Sequence, residues 1–241
     1  MYRYDTHVHT SEGSLCGKMT GEEMARFYKD LGYDGIIITD HFLNGNTTIP
    51  ESLSWEEKVR LFALGYERAR AEGERLGLDV FFGFEFNFKY TEFLVYGLDV
   101  EWLLAHPDCD KLGVREFCEL AHGSGAFIVH AHPFRMRPYI KAIRLYPDCI
   151  DAVEVMNAAH LDDMPHDRRA EWYAEEFGFL RTAGSDNHVL NQRYLGGIET
   201  EERIESIDDY IKAAAEGKLR ILRFENPHFD GLSGHGLTVK K

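Results

Sequence analysis

The chain is poor in cysteine, in basic residues and in long apolar runs, and each shortage excludes a class of protein. Its four cysteines, Cys16, Cys109, Cys118 and Cys149, include no C-x-x-C pair. They are too sparse for a small disulfide scaffold, so free thiols in a reducing compartment are expected. No apolar run approaches the roughly 18 residues needed to span a bilayer. The opening Met1-Tyr2-Arg3-Tyr4-Asp5 lacks the pattern of a signal peptide. A soluble, cytoplasmic protein without a membrane partner is therefore predicted, of unspecified oligomeric state. Lys and Arg number 27 against 41 Asp and Glu, a formal net charge of −14. That balance repels polyanions and argues against non-specific binding of long nucleic acid. Part of the acidic excess can be metal-binding carboxylate, offset by divalent cations. A small anionic substrate stays compatible if metals and a few arginines create a local positive pocket. No internal repeat or low-complexity segment is visible.

What the chain does have is length and alternation. With 241 residues and 44% hydrophobic content, it can bury a core of the size that α/β barrels build as one domain. Hydrophobic runs and amphipathic stretches alternate from end to end, the pattern of a βα-repeating fold. Strands are predicted over 2–9, 35–39, 79–86, 91–98, 126–130, 152–157, 179–183 and 219–223. Helices are predicted over 19–31, 55–76, 114–123, 139–145, 168–177 and 206–216. Thr20 and Glu23 form a capping box before the first helix, and Gly32 closes it. A single barrel domain over 1–224 followed by a loosely attached, Gly-rich tail over 225–241 is expected.

Five short stretches carry the chemistry: Asp5-Thr6-His7-Val8-His9, Thr39-Asp40-His41, Gly83-Phe84-Glu85, His130-Ala131-His132-Pro133 and Ser185-Asp186-Asn187-His188. In most of them a strand-like run leads straight into His, Asp or Glu, which is how a barrel delivers ligands to one mouth. A two-residue period puts Asp5, His7 and His9 on one strand face, and His130 and His132 on another. An isolated H-x-H is commonly incidental, and Asp40-His41 alone reads as a turn with a surface histidine. Glu85 is harder to dismiss, because a carboxylate ending the run Val80 to Phe84 is costly unless paired or bound to a cation. Its two oxygens make it the best candidate for a ligand shared by two ions. Ser185 is a candidate donor orienting Asp186, and Asp40 a candidate orienter of a ligand histidine. The coincidence of all five at strand ends favours a metal site. Mixed His and carboxylate donors suit Zn, Mn or Fe without choosing among them.

In this order the stretches resemble the polymerase and histidinol phosphatase (PHP) family, and the resemblance runs from Asp5 to about Gly197. It implies a distorted (βα)7 TIM-like barrel holding two or three divalent metal ions. By that resemblance His7, His9, Glu85 and Asp186 are ligands of a first metal, and Glu85 bridges to a second that also takes His132. The histidine usual on the strand after the bridging Glu is here replaced by Glu92, a change tolerable on Mn or Fe. His41 and His188 resemble ligands of a third metal. The His or Asp usual shortly after H-x-H is missing, and Glu12, Cys16 and His130 are the nearby candidates to replace it.

The resemblance also implies hydrolysis of a phosphate ester, mono or di, of a small molecule through a metal-bridging hydroxide. Arg135 is expected to meet the substrate phosphate in bidentate fashion, or else to be a solvated surface residue. Lys18 and Arg193 are further candidates of the same kind. His130 or His188 is expected to protonate the leaving oxygen. Asn157 is read as orienting the substrate or a ligand, or as a simple cap, and His160 and His166 as mobile surface histidines. The competing readings are histidinol-phosphate hydrolysis, amide or lactone hydrolysis by the same bridged hydroxide, and a non-catalytic metal-stabilised module.

Overall fold

A computed structural model describes residues 1–160 and 165–231. The chain runs β1 (Tyr2–Val8), α1 (Gly21–Asp30), β2 (Gly35–Ile38), α2 (Trp55–Leu76), β3 (Asp79–Phe88), β4 (Thr91–Tyr96), α3 (Val100–Ala105), α4 (Val114–Gly123) and β5 (Phe127–Ala131). It continues through β6 (Ala152–Asn157), α5 (His166–Phe177), β7 (Leu180–Gly184), β8 (Tyr194–Thr200), α6 (Ile207–Ala215) and β9 (Arg220–Glu225). All described strands join one sheet in the order β7-β6-β5-β4-β3-β2-β1-β8-β9. The sheet curls into a nearly closed barrel. Thr6 Oγ1 donates to the Ala183 carbonyl at 2.8 Å, and Val8 bridges Asn187 just past β7.

Two features distort the expected βα repeat. β4 is antiparallel to both neighbours and is joined to β3 by a tight turn at Lys89-Tyr90, both with positive φ, as a two-residue hairpin demands. β8 and β9 are antiparallel additions at the edge beside β1. The sequence reading missed β8 because its centre is Gly196-Gly197, a weak strand former. Both glycines are required by close approach. A Cβ on Gly196 would lie 2.4 Å from Met156 Cε, and one on Gly197 2.1 Å from the Tyr4 carbonyl.

The predicted helix over 139–145 does not form. Residues 134–146 make an irregular connection in which Tyr139 and Ile143 are exposed. Seven residues behind Pro138, without a cap, do not repay the cost of helix nucleation. The short helix α3, also missed, is capped by Asp99, whose carboxylate accepts from Trp102 N at 2.7 Å. The expected loose tail is fastened at its start. Glu225 belongs to β9, and buried Asn226 donates to the carbonyls of Leu190 and Gln192. Residues 232–241 lie outside the described residues. No described helix is long and apolar enough to cross a membrane.

Packing follows from the sequence pattern. β2 is Gly-Ile-Ile-Ile and wholly buried, as a parallel strand covered on both faces should be. Inside the barrel lie Tyr4, Ile37, Leu94, Tyr96, Val129 and Ile198; outside, an aromatic layer including Phe62, Phe84, Phe86 and Phe117 packs under the helices. Tyr210 of α6 stacks edge-on to Tyr96 and Phe127 and meets Thr182 Oγ1 at 2.9 Å, filling the end of the barrel where the parallel strands begin. The opposite mouth is left for the polar residues. Capping boxes start α1 at Thr20/Glu23 and α2 at Ser54/Glu57.

α2 comes unusually close to the mouth. A Cβ on Gly65 would fall 2.1 Å from Thr10 Oγ1 and 2.8 Å from Asp40 Oδ2. Gly65→Ala should therefore break the Thr10–Asp40 contact and lower stability by about 1–3 kcal/mol. Urea denaturation checks this, and an unchanged midpoint would show that α2 can yield without cost.

Candidate metal centre

The mouth gathers one chemical type from many elements. His7 is the penultimate residue of β1 and His9 follows the strand; Asp40 and His41 follow β2, and Glu85 lies in β3. Glu92 comes from β4, His132 from just beyond β5, Glu154 and Asn157 from β6, and Asp186 and His188 from beyond β7. His7, His9, Glu85 and Asn157 are fully buried, and His132, Glu154 and Asp186 nearly so. Four overlapping sets each hold three donor atoms within 4.8 Å of one another: His7/His9/Asp186, His7/Glu85/His132, His41/Glu85/Glu92 and His9/His41/His188.

Hydrogen bonds fix the imidazole tautomers. His7 Nδ1–H donates to Glu154 Oε1 at 2.9 Å. His9 Nδ1–H donates to Ser14 Oγ at 3.1 Å, and that hydroxyl donates to Asp40 Oδ1 at 2.7 Å. Both rings therefore turn Nε2 lone pairs inward, only 3.0 Å apart. Two imidazole nitrogens facing at that distance either share a proton or hold a cation between them. Glu85 completes the demand. Its Oε1 lies 3.4 Å from His7 Nε2 and 3.1 Å from His132 Nε2. Its Oε2 lies 2.5 Å from His41 Nδ1 and 3.7 Å from His9 Nε2. Yet Glu85 Oε2 and His41 Nδ1 are both buried without a well-formed hydrogen bond. These residues fit divalent metal ions.

The electrostatics agree. Burial would raise the Glu85 carboxyl, but His41, His132 and His7 hold it well below the usual carboxylate range. Asp186 is likewise depressed against its burial, by Arg135 and His7. Burial would lower His7, and Glu154 and Asp186 overcome it and raise its pKa well above normal. His9 is pushed far down by burial and by neighbouring His188 and His41. Asp40, raised to about 6 by burial, accepts from Thr10 N, Thr10 Oγ1 and Ser14 Oγ. It orients His9 through Ser14, as expected of an orienter.

Several expectations meet a different arrangement. Asp5 does not share the His7 face: the β1/β2 register slips between Asp5 and Val8, and Asp5 accepts from Tyr28 Oη of α1 and from Ser185 N. Ser185 uses its hydroxyl on Gly196, not on Asp186. His130 leaves the cluster, packing on Phe93 at 5.0 Å and near Tyr173, with neither ring nitrogen hydrogen-bonded. β5 ends at Ala131 and His132 takes φ +27, so the alternation that would pair His130 with His132 stops between them. This removes His130 both as a proton donor and as a third-site ligand. Glu12 is diverted to Arg68 and the N-terminal amide of α1. Cys16 stands beside His41, with Sγ 3.2 Å from Nε2. Burial would raise that thiol, but His188 and His41 draw it down to about 6.

A cleft of about 930 Å³ opens over the cluster, lined by Cys16, His41, Glu92, Arg135, Asp186 and His188 among others. Arg135 is not a solvated surface residue. It pairs with Asp186 and approaches Asn157 Oδ1, while its Nε is buried without a partner. Lys18 and Arg193 do not line the cleft, whose other cations are Lys89 and Arg137. His160 and His166 are buried, not surface residues, and His160 Nδ1–H donates to Asp167 at 2.6 Å. Asn157 braces the site, donating to Glu154 Oε2 at 2.9 Å. Glu154 itself was missed by the sequence reading. Its signal was the one that exposed Glu85, a carboxylate inside an apolar strand, Ala152–Asn157.

A PHP domain profile matches residues 5–221. No curated protein matches the chain. Among solved structures, a two-domain Bacteroides vulgatus protein containing a predicted PHP-like metal-dependent phosphoesterase is similar at TM-score 0.66 and 16% identity, over 91% of this chain. The chain spans 64% of that protein's length. PsfC of Pseudomonas syringae is similar at TM-score 0.58 and 20% identity, over 93% of this chain and 92% of PsfC. An amidohydrolase of Chromobacterium violaceum, determined with sulfate and no metal, is similar at 0.52 and 15% identity, over 77% of this chain and 87% of its own.

Because Glu154 sets the His7 tautomer, Glu154→Gln should weaken divalent metal binding by about 10–100-fold. Competition against a chelator measures it, and unchanged affinity would remove the orienting role.

Proposed function

This chain belongs to the PHP domain family, and on that premise we propose that it is a metal-dependent hydrolase cleaving a phosphate ester of a small molecule. The observation that carries the reading is Glu85, one fully buried carboxylate whose two oxygens face different histidine sets: His7 and His132 on one side, His41 and His9 on the other. A first ion would be held by His7, His9, Asp186 and Glu85, and a second by Glu85, His132 and Glu92. Bound there, divalent ions supply Lewis acidity that activates water near neutral pH and neutralises phosphoryl oxygens.

The remaining work belongs to the protein. Arg135 holds Asp186 with one arm of its guanidinium while lining the cleft, where its positive charge can meet an oxyanion. Lys89 and Arg137 on the rim attract negative charge into a cleft whose floor would otherwise repel it. Those cations favour a phosphorylated substrate over a neutral amide or lactone. Glu154 and Asn157 keep His7 and Asp186 oriented. His188 Nδ1–H is held by the Asp186 carbonyl at 2.8 Å. In its imidazolium form, and free of an ion, the ring can pass a proton from Nε2 to the leaving oxygen; otherwise water in the open cleft does so.

Glu85→Gln should lower hydrolysis of p-nitrophenyl phosphate at least about 100-fold and weaken binding of both ions. Chelator should abolish wild-type activity, and Zn²⁺ or Mn²⁺ should restore it. A metal-replete protein inert to phosphomonoesters and phosphodiesters overturns the reading; turnover of amides or lactones alone would put the reaction at a carbonyl.

A further inference from the structure

Beside the two-ion cluster lies a set of donors of different character. The loop after β1 carries Cys16 against His41, and His188 closes the other side, its ring 5.9 Å from that of His41. His41 divides its nitrogens: Nδ1 faces Glu85 Oε2 at 2.5 Å, leaving Nε2 turned to the sulfur at 3.2 Å. His188 spends Nδ1 on the Asp186 carbonyl, and its Nε2 is buried without a hydrogen-bond partner. An orphaned imidazole nitrogen, a second imidazole nitrogen and a thiol thus meet on the wall of an open cleft.

The loop that presents Cys16 is built, not slack. Ser14 N donates to the Thr10 carbonyl, Leu15 N to the Asn46 carbonyl and Gly17 N to the Ser14 carbonyl. Gly17 is pressed so close that a Cβ would lie 2.3 Å from the Thr10 carbonyl oxygen. Cys109, Cys118 and Cys149 are buried elsewhere, so Cys16 is the one cysteine lining the cleft. Glu12, the nearest carboxylate in sequence, is tied to Arg68.

We propose that Cys16 supplies a thiolate ligand where the family resemblance implies a third divalent ion beside His41 and His188, a site open to the cleft at its remaining position. Such a donor set is softer than the His and carboxylate donors around Glu85, and it selects Zn²⁺ or Fe²⁺ over Mg²⁺ and Mn²⁺. The thiol loses its proton to solvent as the metal–sulfur bond forms, with no change of oxidation state. When this ion is present His188 serves as a ligand, and the leaving-group proton comes from water. The inference rests on the reading of the neighbouring cluster as a two-ion site.

Cobalt separates the possibilities, because a thiolate bound to Co²⁺ gives a near-ultraviolet charge-transfer band that imidazole and carboxylate ligands do not. Metal-free protein titrated with Co²⁺ should develop that band. Cys16→Ser, with its fold checked by circular dichroism, should lose the band and one equivalent of bound Co²⁺ while keeping the rest. Cys16→Asp should regain the equivalent without the band. Loading wild type with Zn²⁺ should also slow the reaction of its accessible thiol with a disulfide reagent at least about tenfold. A wild-type protein that binds Co²⁺ without the band, or a Cys16→Ser variant with undiminished stoichiometry, overturns the thiolate ligand and leaves the two-ion reading standing. Failure of wild type to bind Co²⁺ at all overturns both.

Discussion

Glu85 sits where no carboxylate would sit for its own sake. It is fully buried in the middle of an aromatic strand, and its charge is tolerable only because imidazoles converge on both of its oxygens. Everything at the mouth follows from that demand. His7 and His132 approach from one side, and they in turn need Glu154, which binds His7 Nδ1 and the His132 amide with its two oxygens. Glu154 needs Asn157, and Asn157 reaches Asp186. On the other side His41 is held through its amide by Ser14, which also receives His9 and leans on Asp40. The cluster is thus a closed network of buried charge, and divalent cations are what such a network is complementary to.

The scaffold holds two of these side chains on strained backbone. His132 and Asp186 both occupy left-handed backbone, with φ of +27 and +50, a conformation that non-glycine residues hold only when their surroundings over-determine it. In each case the cause is on hand: Glu154 accepts the His132 amide, and Asp186 is clasped by Arg135. The opposite end of the barrel is filled by Tyr210 and its aromatic neighbours.

Much of this was legible from residues alone, for a definite reason. His7, His9, Glu85, His132 and Asp186 stand at or near the ends of apolar runs, and such runs announce both a strand and its exit. What was not legible depended on register. A slip in β1 sends Asp5 to Tyr28, and the termination of β5 one residue before His132 separates His130 from the site; neither leaves a mark in a two-residue period. Burial of His160 and His166 depends on tertiary neighbours, which loop composition does not encode. β8 hid behind glycines that exist to admit Met156 and the Tyr4 backbone. Glu154 was the avoidable miss, since a lone acid in Ala152–Asn157 carries the same physical cost as Glu85.

The reversed strand β4 couples the rim of the cleft to its floor. The tight turn at Lys89-Tyr90 contributes to the rim of the cleft, and Glu92 lies two residues beyond it, beside His132. Rim and carboxylate are therefore two ends of one short hairpin, pinned where Asn87 donates to Glu92 at 3.0 Å. A molecule gripping Lys89 loads the same hairpin that carries the carboxylate. For the same reason the rim cannot be reshaped by lengthening this turn without moving Glu92, so variation in what enters the cleft has to come from its other walls, above all the irregular connection after His132.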